Sequence, residues 1–372
     1  MDNIVAALEH NDRIRQLDLV NLPSSQMEKV SAAMQQPFPA LEHLRLYSES
    51  ETEAVHASFL GGSAPQLQYL NMHSISFPGL PKLLLSATHL VTLLLLKIPH
   101  SGYFSPEAMV IGLSALTSLK TLKIKFKSPR SRPDRKNRCP PPPTRTLLPV
   151  LTELSFVGVS EYLDDLLAQV DAPLLDNLEI TFFHQLILDT PQLAQFISRT
   201  PNFKTHDTAY VIFSSQGVRI VILSTFGNHK DEKLYLAIGR GQSDWQLSSL
   251  AQVFSSLFHQ ILIPTVEYLY IQGERYTSLS WQEDIETSQW LELLHPLAAV
   301  KGLHISWEFT SRIAPTLREL VGGRVTEVLP ALQTLFLEGT ETLPSDVQEM
   351  IDKFVAAREL AGHTIAVSSW KS

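Results

Sequence analysis

Apolar residues recur along this chain in a short pattern, L-x-x-L-x-L, in which similar apolar residues replace some of the leucines. Residues 41–46 read LEHLRL and residues 332–337 read LQTLFL, near opposite ends of the chain. Copies begin at Ile14, Leu41, Leu67, Leu90, Leu119, Leu151, Leu175, Val266, Val300 and Leu332. Successive side chains of a strand point to opposite faces. We therefore predict that each copy forms one strand with its last two apolar residues facing inward.

The copies are separated by segments with helical periodicity. Their starts lie between 23 residues apart (Leu67 to Leu90) and 34 residues apart (Val266 to Val300), except for one gap after Leu175. The helical segments cover residues 24–36, 160–170, 191–200, 245–258 and 287–300, with Pro296 expected to end the last. A proline stands two residues before the first apolar residue at Pro39, Pro65, Pro149, Pro173, Pro264 and Pro330, which suits a loop that enters a strand.

This alternation at this spacing is typical of a leucine-rich repeat, whose units stack because none can cover its own apolar face. We expect an α/β leucine-rich repeat solenoid, shaped as an irregular horseshoe with parallel strands on the concave face and helices on the convex face. An ordinary doubly wound α/β domain is the alternative. Where such repeats place Asn or Cys, this chain has residues such as Leu22, Ile75 and Ile98, so the turns must be satisfied in another way.

We expect a single repeat domain over residues 1–372 with three distinctive segments. Residues 127–145 read as a basic, Pro-rich loop insertion. Residues 200–245 read as divergent repeats with an extra strand, because residues 211–239 contain three short apolar runs separated by turn residues. Residues 341–372 read as a C-terminal capping unit, a helix followed by Gly362 and a short strand that would close the sheet edge.

Composition narrows the class of protein. The chain is 44% hydrophobic and 18% charged with a net charge of −8, which gives no general reason to expect nucleic acid. Its one cysteine, Cys139, excludes an internal disulfide and favours a reducing compartment. No signal peptide is visible, and the longest apolar run, residues 90–96, is far shorter than the ~20 residues of a membrane helix. We expect a cytoplasmic or nuclear monomer that does not bind membranes.

No residue pattern points to catalysis. The thirteen histidines show no H-E-x-x-H or similar metal-ligand spacing, and no Walker loop is present. The two glycines in GRGQSD, residues 239–244, lack the third glycine of a nucleotide-binding loop. Paired carboxylates or a triad cannot be located either. We expect a non-enzymatic protein without a cofactor or a metal.

The repeats resemble those of the F-box and leucine-rich repeat proteins of mushroom-forming fungi. Stretches that carry the resemblance include DTPQLAQFISRTPNF, SDWQLSSLAQVFSSLF, LPALQTLFLEG and FVAARELAGHTIAVS, and it covers most of the chain. The resemblance implies repeats that recruit a target protein and an F-box that binds the adaptor of a cullin ubiquitin ligase. This sequence begins with MDNIVAALEHNDRIRQLDL, already inside the first repeat, so the adaptor is expected as a partner only with an F-box upstream. The alternative is a scaffold or regulator unrelated to ubiquitination.

Two surfaces are candidates for binding the unidentified protein target. Strand residues that alternate with the inward leucines should line the concave face: His43, Arg45, Tyr47, Tyr69, Asn71, His73, Lys123, Lys125, Glu153, Glu179, Tyr268, Tyr270, His304 and Phe336. The basic loop could dock an acidic or proline-reading partner through Arg130, Arg132, Arg135, Lys136 and Arg138, although a solvated insertion is the simpler interpretation.

Overall fold

The computed structural model describes residues 2–48, 54–129, 144–183, 188, 190–203, 206–215, 217–223, 234–239, 247, 249–254, 265–274, 287–339 and 343–370. The chain forms two compact units. Unit 1 comprises Met1–Phe183 and Arg199–Asn202, and unit 2 comprises His184–Ser198 and Phe203–Ser372. The single repeat domain expected over residues 1–372 stays a prediction, as does the horseshoe curvature.

Unit 1 is a mixed α/β structure built on a parallel sheet. Its helices are α1 (Asp2–Leu8), α2 (Ser24–Ala33), α3 (Leu80–Ser86), α4 (Pro106–Leu113) and α5 (Ser160–Leu167). Its strands are β1 (Gln16–Leu22), β2 (His43–Ser48), β3 (Tyr69–His73), β4 (Thr92–Ile98), β5 (Thr121–Phe126), β6 (Thr146–Leu147), β7 (Glu153–Gly158), β8 (Val170–Asp171) and β9 (Asn177–Phe182). The sheet has the order β1-β2-β3-β4-β5-β7-β9, and β6 pairs with β8 separately. All its strand pairs are parallel, which confirms the predicted parallel sheet.

Equivalent leucines of successive copies pair directly across this sheet. Leu44 pairs with Leu70, and the same row continues through Leu93, Leu122, Leu154 and Leu178. Each of these side chains is at most 2% exposed. Apolar residues on the inward sides of the helices, such as Met27, Val30 and Leu163, are buried as well. Each copy of the L-x-x-L-x-L pattern therefore contributes one strand to a shared core, and its leucines face inward as predicted.

A recurrent β-turn leads into seven of the strands. The N–H of Leu41 donates to the carbonyl of Phe38 at 3.2 Å, and equivalent bonds join Leu67 to Ala64, Leu90 to Ala87, Leu119 to Leu116, Leu151 to Leu148, Leu175 to Ala172 and Leu332 to Leu329. Pro39, Pro65, Pro149, Pro173 and Pro330 occupy the second position of their turns. Proline is favoured there because its fixed φ matches the turn. The recurrent prolines therefore shape the turn as well as withholding a donor, and Pro264 lies outside the described residues.

Consecutive repeats are also joined by shared backbone carbonyls. The carbonyl of Glu42 accepts hydrogen bonds from the N–H groups of Gln68 and Tyr69, at 2.8 and 3.1 Å. Equivalent carbonyls in unit 1 belong to Arg15, Gln68, Val91, Lys120 and Thr152, and in unit 2 to Asp207, Glu267 and Lys301. Each accepts two N–H groups from the repeat that follows in space. We call these shared carbonyls the carbonyl ladder. They accept hydrogen bonds from the backbone N–H groups at the start of each following strand, without help from side chains.

Apolar residues take the place of asparagine after several strands. Ile75 and Ile98 are each 4% exposed, and Val159 is 1% exposed. Ser74 and Lys97, which precede the two isoleucines, have φ values of 57° and 50°. That left-handed conformation costs roughly 1–2 kcal/mol for an L-residue. The left-handed residue turns the chain so that the isoleucine after it points into the core. Burial of the isoleucine side chain offsets the free-energy cost of the left-handed conformation.

Unit 2 combines an antiparallel and a parallel part. Its helices are α6 (Pro191–Arg199, whose last residue is assigned to unit 1), α7 (Thr287–Leu294), α8 (Trp307–Arg318) and α9 (Ser345–Leu360). Its strands are β10 (Thr208–Ser214), β11 (Gly217–Leu223), β12 (Leu234–Gly239), β13 (Tyr268–Gly273), β14 (Gly302–Ile305), β15 (Thr334–Glu338) and β16 (Ala366–Trp370). Their order is β12-β11-β10-β13-β14-β15-β16. The first three strands pair antiparallel, and β10 onward pair in parallel.

Two local features of unit 2 follow from glycine and proline. Gly217 begins β11 at φ 142°, and a Cβ there would lie 2.0 Å from the carbonyl oxygen of Ile238. Only glycine allows this close approach of two backbones. Helix α7 ends at Leu294, before Pro296, because proline cannot continue the hydrogen-bond ladder.

A buried arginine holds the last helix against the preceding loop. Arg358 of α9 has no exposed side-chain area, and its Nη2 donates to the carbonyl of Leu329. Its guanidinium lies 5.5 Å from the centre of the Phe354 ring. Burial lowers the pKa of Arg358. Because Leu329 has a φ of 50°, this bond fixes a strained turn ahead of β15.

We predict that Leu178→Ala destabilises the protein by roughly 2–5 kcal/mol, because it leaves a cavity in the shared leucine row. Leu178 is fully buried, whereas Leu174 in the preceding turn is 54% exposed. Urea unfolding of both alanine variants measures the difference. Leu174→Ala is the matched control and should change the free energy of unfolding by less than about 0.5 kcal/mol. Equal effects of the two substitutions would contradict the buried row.

Candidate protein-interaction face

The outward side of the unit 1 sheet presents side chains in rows. One row consists of Gln16, His43, Tyr69, Thr92, Thr121, Glu153 and Asn177, which pair in that order. The next consists of Asp18, Arg45, Asn71, Leu94, Lys123, Ser155 and Glu179. Strand pairing in register brings together residues that lie far apart in sequence. All ten unit 1 residues predicted for the concave face lie on this side, which we call the unit 1 face.

Two stacked ring pairs occupy one end of the unit 1 face. His43 stacks on Tyr69 with ring centres 4.1 Å apart, and Tyr47 stacks on His73 at 4.3 Å. Such cross-strand ring pairs stabilise the sheet and fix the ring orientations. The pKa of His73 is lowered, first by burial and then by the charges of Lys97 and Arg45. These surroundings therefore favour the neutral form of the His73 ring.

Asn71 is less exposed than its position suggested. It lies on the outward side as predicted but is only 8% exposed. Its Nδ2 donates to the hydroxyl of Tyr69 at 3.2 Å. The tyrosine ring covers the shorter amide side chain, so Asn71 supports the ring pairs and does not offer a contact surface of its own.

The other end of the unit 1 face is a network of paired charges. Lys123 Nζ lies 2.6 Å from Glu153, and Lys125 Nζ lies 3.4 Å from Glu179. The hydroxyl of Ser155 donates to the same Glu179 carboxylate at 2.6 Å. Because these charges neutralise each other, this end is polar with little net charge. Such partly exposed pairs add little to stability.

Half-buried apolar side chains lie between these two ends. Leu94 and Leu96 of β4 point outward and are partly exposed. Arg45 lies on β2 in the same row as Leu94, with Asn71 of β3 between them, and its guanidinium is 3.7 Å from Asp18. Aromatic and apolar side chains that share one surface with an arginine are typical of protein–protein interfaces.

The outward side of unit 2 is largely covered by its own rings. Tyr210, Tyr270, His304 and Phe336 occupy one row. Their neighbouring rings stack at 4.4, 4.0 and 4.1 Å. Trp370 from β16 lies edge-on to His304 at 5.3 Å, and its Nε1 donates to the carbonyl of Ile305 at 3.1 Å.

His304 is therefore not the exposed contact that its outward position suggested. It is 8% exposed, because rings stack on both its sides and Trp370 lies above it. Burial lowers the pKa of His304 to about 4. Tyr268 is more accessible at 39% exposure. Its ring lies over Gly302, where a Cβ would meet Tyr268 Cδ1 at 2.7 Å.

The basic loop, metal binding and membrane helices concern other parts of the chain than these faces. The basic loop residues Arg130, Arg132, Arg135, Lys136 and Arg138 lie outside the described residues. Across the described part of the chain, no group of three or more His, Cys, Asp and Glu residues could hold a metal ion. Nor does any helix in the same part have the length and apolar character to cross a membrane.

Sequence reasoning missed several residues of these faces. Leu94, Leu96 and Ser155 lie on the unit 1 face. In unit 2, Tyr210 lies in the ring row and Trp370 lies edge-on to its His304. Strict alternation from the inward leucines identifies Leu94 and Leu96, but both look like core residues in the run LVTLLLL. Tyr210 sits in a strand without the leucine pattern, so its register was visible only from strand pairing.

No protein-family model matches this chain. No curated protein matches it either. Among solved structures it is similar to the leucine-rich repeat-containing protein LegL7 from Legionella pneumophila, with 14% identity and a TM-score of 0.34 over 93% of this chain and 98% of that chain. The F-box part of the resemblance remains a hypothesis.

We predict that His304 makes unit 2 less stable in acid. Its pKa is about 4 in the folded protein and 6.5 in the reference state, so the unfolded chain binds more protons between those pH values. The contribution of neutral His304 is fully present above pH 6.5 and is lost as the pH falls toward 4. Relative to wild type, His304→Phe should become more stable by about 2 kcal/mol on going from pH 7 to pH 4.5.

Urea unfolding at a series of pH values measures this difference. Tyr270→Phe is the matched control, because it keeps the ring stack and removes no group that titrates in acid. Its stability curve should run parallel to that of wild type. Identical pH dependence of wild type and His304→Phe would show that His304 is not held neutral by burial.

Proposed function

We propose that this chain is a non-enzymatic protein-interaction module that binds its partner through the unit 1 face. The observation that supports this is the grouping of two ring pairs, Arg45 and the half-exposed Leu94 and Leu96 on one sheet surface. Tyrosine and arginine are the residues that most often dominate binding energy in interfaces. The strands hold them rigidly, so little conformational entropy is lost on binding.

The face also suggests the chemistry of the partner. The lysines and glutamates at one end already pair with each other. A partner therefore gains little from opposing charges there, and its contact should be centred on the rings and leucines. We expect a partner surface with exposed apolar or aromatic groups, and an affinity that changes only modestly with salt.

We further propose that the partner of this module is a target protein that is recruited to a cullin ubiquitin ligase. Its support is the resemblance of the repeats to those of F-box proteins. The alternative is a scaffold or regulatory protein with no link to ubiquitination. The genomic sequence upstream of Met1 separates the two, because an in-frame F-box there is expected for the ligase role and none for the scaffold role.

The binding face can be tested with variants that leave the core intact. Proximity labelling in the source cells identifies partners of the wild-type chain, and Tyr69→Ala and Arg45→Glu should each weaken capture of the same partner at least about tenfold. Ile111→Ser is the matched control, because Ile111 lies on α4 and is 58% exposed. Capture that survives both face variants but is lost in Ile111→Ser would place the binding surface on the helices.

A further inference from the structure

A groove of about 720 Å³ lies between α8 and α9 in unit 2. Its lining includes Arg318, Val321 and Gly322 at the end of α8 and just beyond it, and Lys353, Ala357 and Leu360 on α9. The side of α9 that carries Phe354 and Arg358 is buried, whereas the groove side is open. This surface is separate from the unit 1 face.

The groove exposes large apolar side chains to solvent. Leu360 is 90% exposed and Val321 is 53% exposed. A Cβ placed on Gly322 would meet nothing within 4 Å, so the space above it is open. Terminal units of repeat proteins normally present a polar outer face to water. Exposed leucine and valine beside an open depression are instead typical of a surface that binds another molecule.

The charges of the groove indicate what could cover it. Both charged residues in its lining, Arg318 and Lys353, are basic. Lys353 is paired with Glu349 of its own helix at 2.6 Å. Arg318 is exposed and has no described carboxylate within 4.0 Å, but its charge contributes to lowering the pKa of the same Glu349, after the effect of Lys353. The groove therefore combines an apolar floor with two basic residues that share one neighbouring carboxylate, and Arg318 has room for a closer carboxylate from a partner.

We propose that this groove binds an acidic amphipathic helix of a partner protein. The small side chains of Ala357 and Gly322 let a third helix approach closely, and Leu360 and Val321 contact its apolar stripe. Lys353 to Leu360 spans about 10 Å of α9, two helical turns. A partner helix with apolar residues at positions i, i+3 or i+4, and i+7 matches that length, and a flanking glutamate pairs with Arg318. This interaction goes beyond the proposed function and does not depend on it.

A defined peptide tests the proposal with the full-length chain. The probe is a fluorescent helical peptide with leucines at i, i+4 and i+7 and glutamates on the flanks, and its binding is measured by fluorescence anisotropy. We expect a dissociation constant in the micromolar range and at least about tenfold weaker binding to Arg318→Glu and to Leu360→Ser. Both residues are exposed, so circular dichroism should show unchanged folding.

Two controls distinguish binding of the peptide in the groove from non-specific electrostatic attraction of the peptide to the protein. Lys120→Glu makes the same charge change as Arg318→Glu at an exposed position in unit 1 and should leave binding unchanged. A peptide with lysines in place of the glutamates should bind at least about tenfold more weakly. Equal binding of both peptides, equal binding to all variants, or no binding at about 1 mM peptide overturns the proposal. So does a protein dimer in sedimentation that Leu360→Ser abolishes, because a second copy then covers the groove.

Discussion

The structure depends on the fact that one strand and one helix cannot bury their own apolar faces. Each repeat of this chain therefore needs its neighbour, and the neighbours must meet in register because a one-residue slip would turn the leucines toward water. In each unit the carbonyl ladder enforces that register, since one backbone oxygen holds the first two N–H groups of the adjoining strand. The leucine row, the turns with proline and the outward rows all follow from this arrangement.

The same constraint explains how function could arise on this scaffold. Because the inward positions are committed to the core, only the outward positions are free to vary. In unit 1 they combine ring pairs, partly exposed leucines and an arginine, whereas in unit 2 the rings cover one another beneath Trp370. Two units with similar strands thus present surfaces of different accessibility, and only the unit 1 face offers its rings and leucines together.

The periodic part of the structure could be predicted from the sequence, since alternation and spacing are local properties. The inward leucines, the parallel pairing and the side of Tyr69 or Glu179 are examples. The covering of His304 by Trp370 could not be predicted, because it depends on a residue from a different strand. The same holds for Arg358, whose burial depends on a carbonyl in the loop before β15. The pairing of charged residues across strands also required the actual register.

Engineered disulfides between adjacent repeats test the stacking in register most directly. In a Cys139→Ser background, Thr92→Cys and Thr121→Cys place two thiols on paired residues, within the Cα separation that a disulfide accepts. Thr92→Cys with Lys123→Cys places them two residues out of register, about 8 Å apart from the strand spacing and rise. We predict complete cross-linking of the first pair under mild oxidation and none of the second. Equal cross-linking of both pairs, or cross-linking of the second alone, would contradict the account.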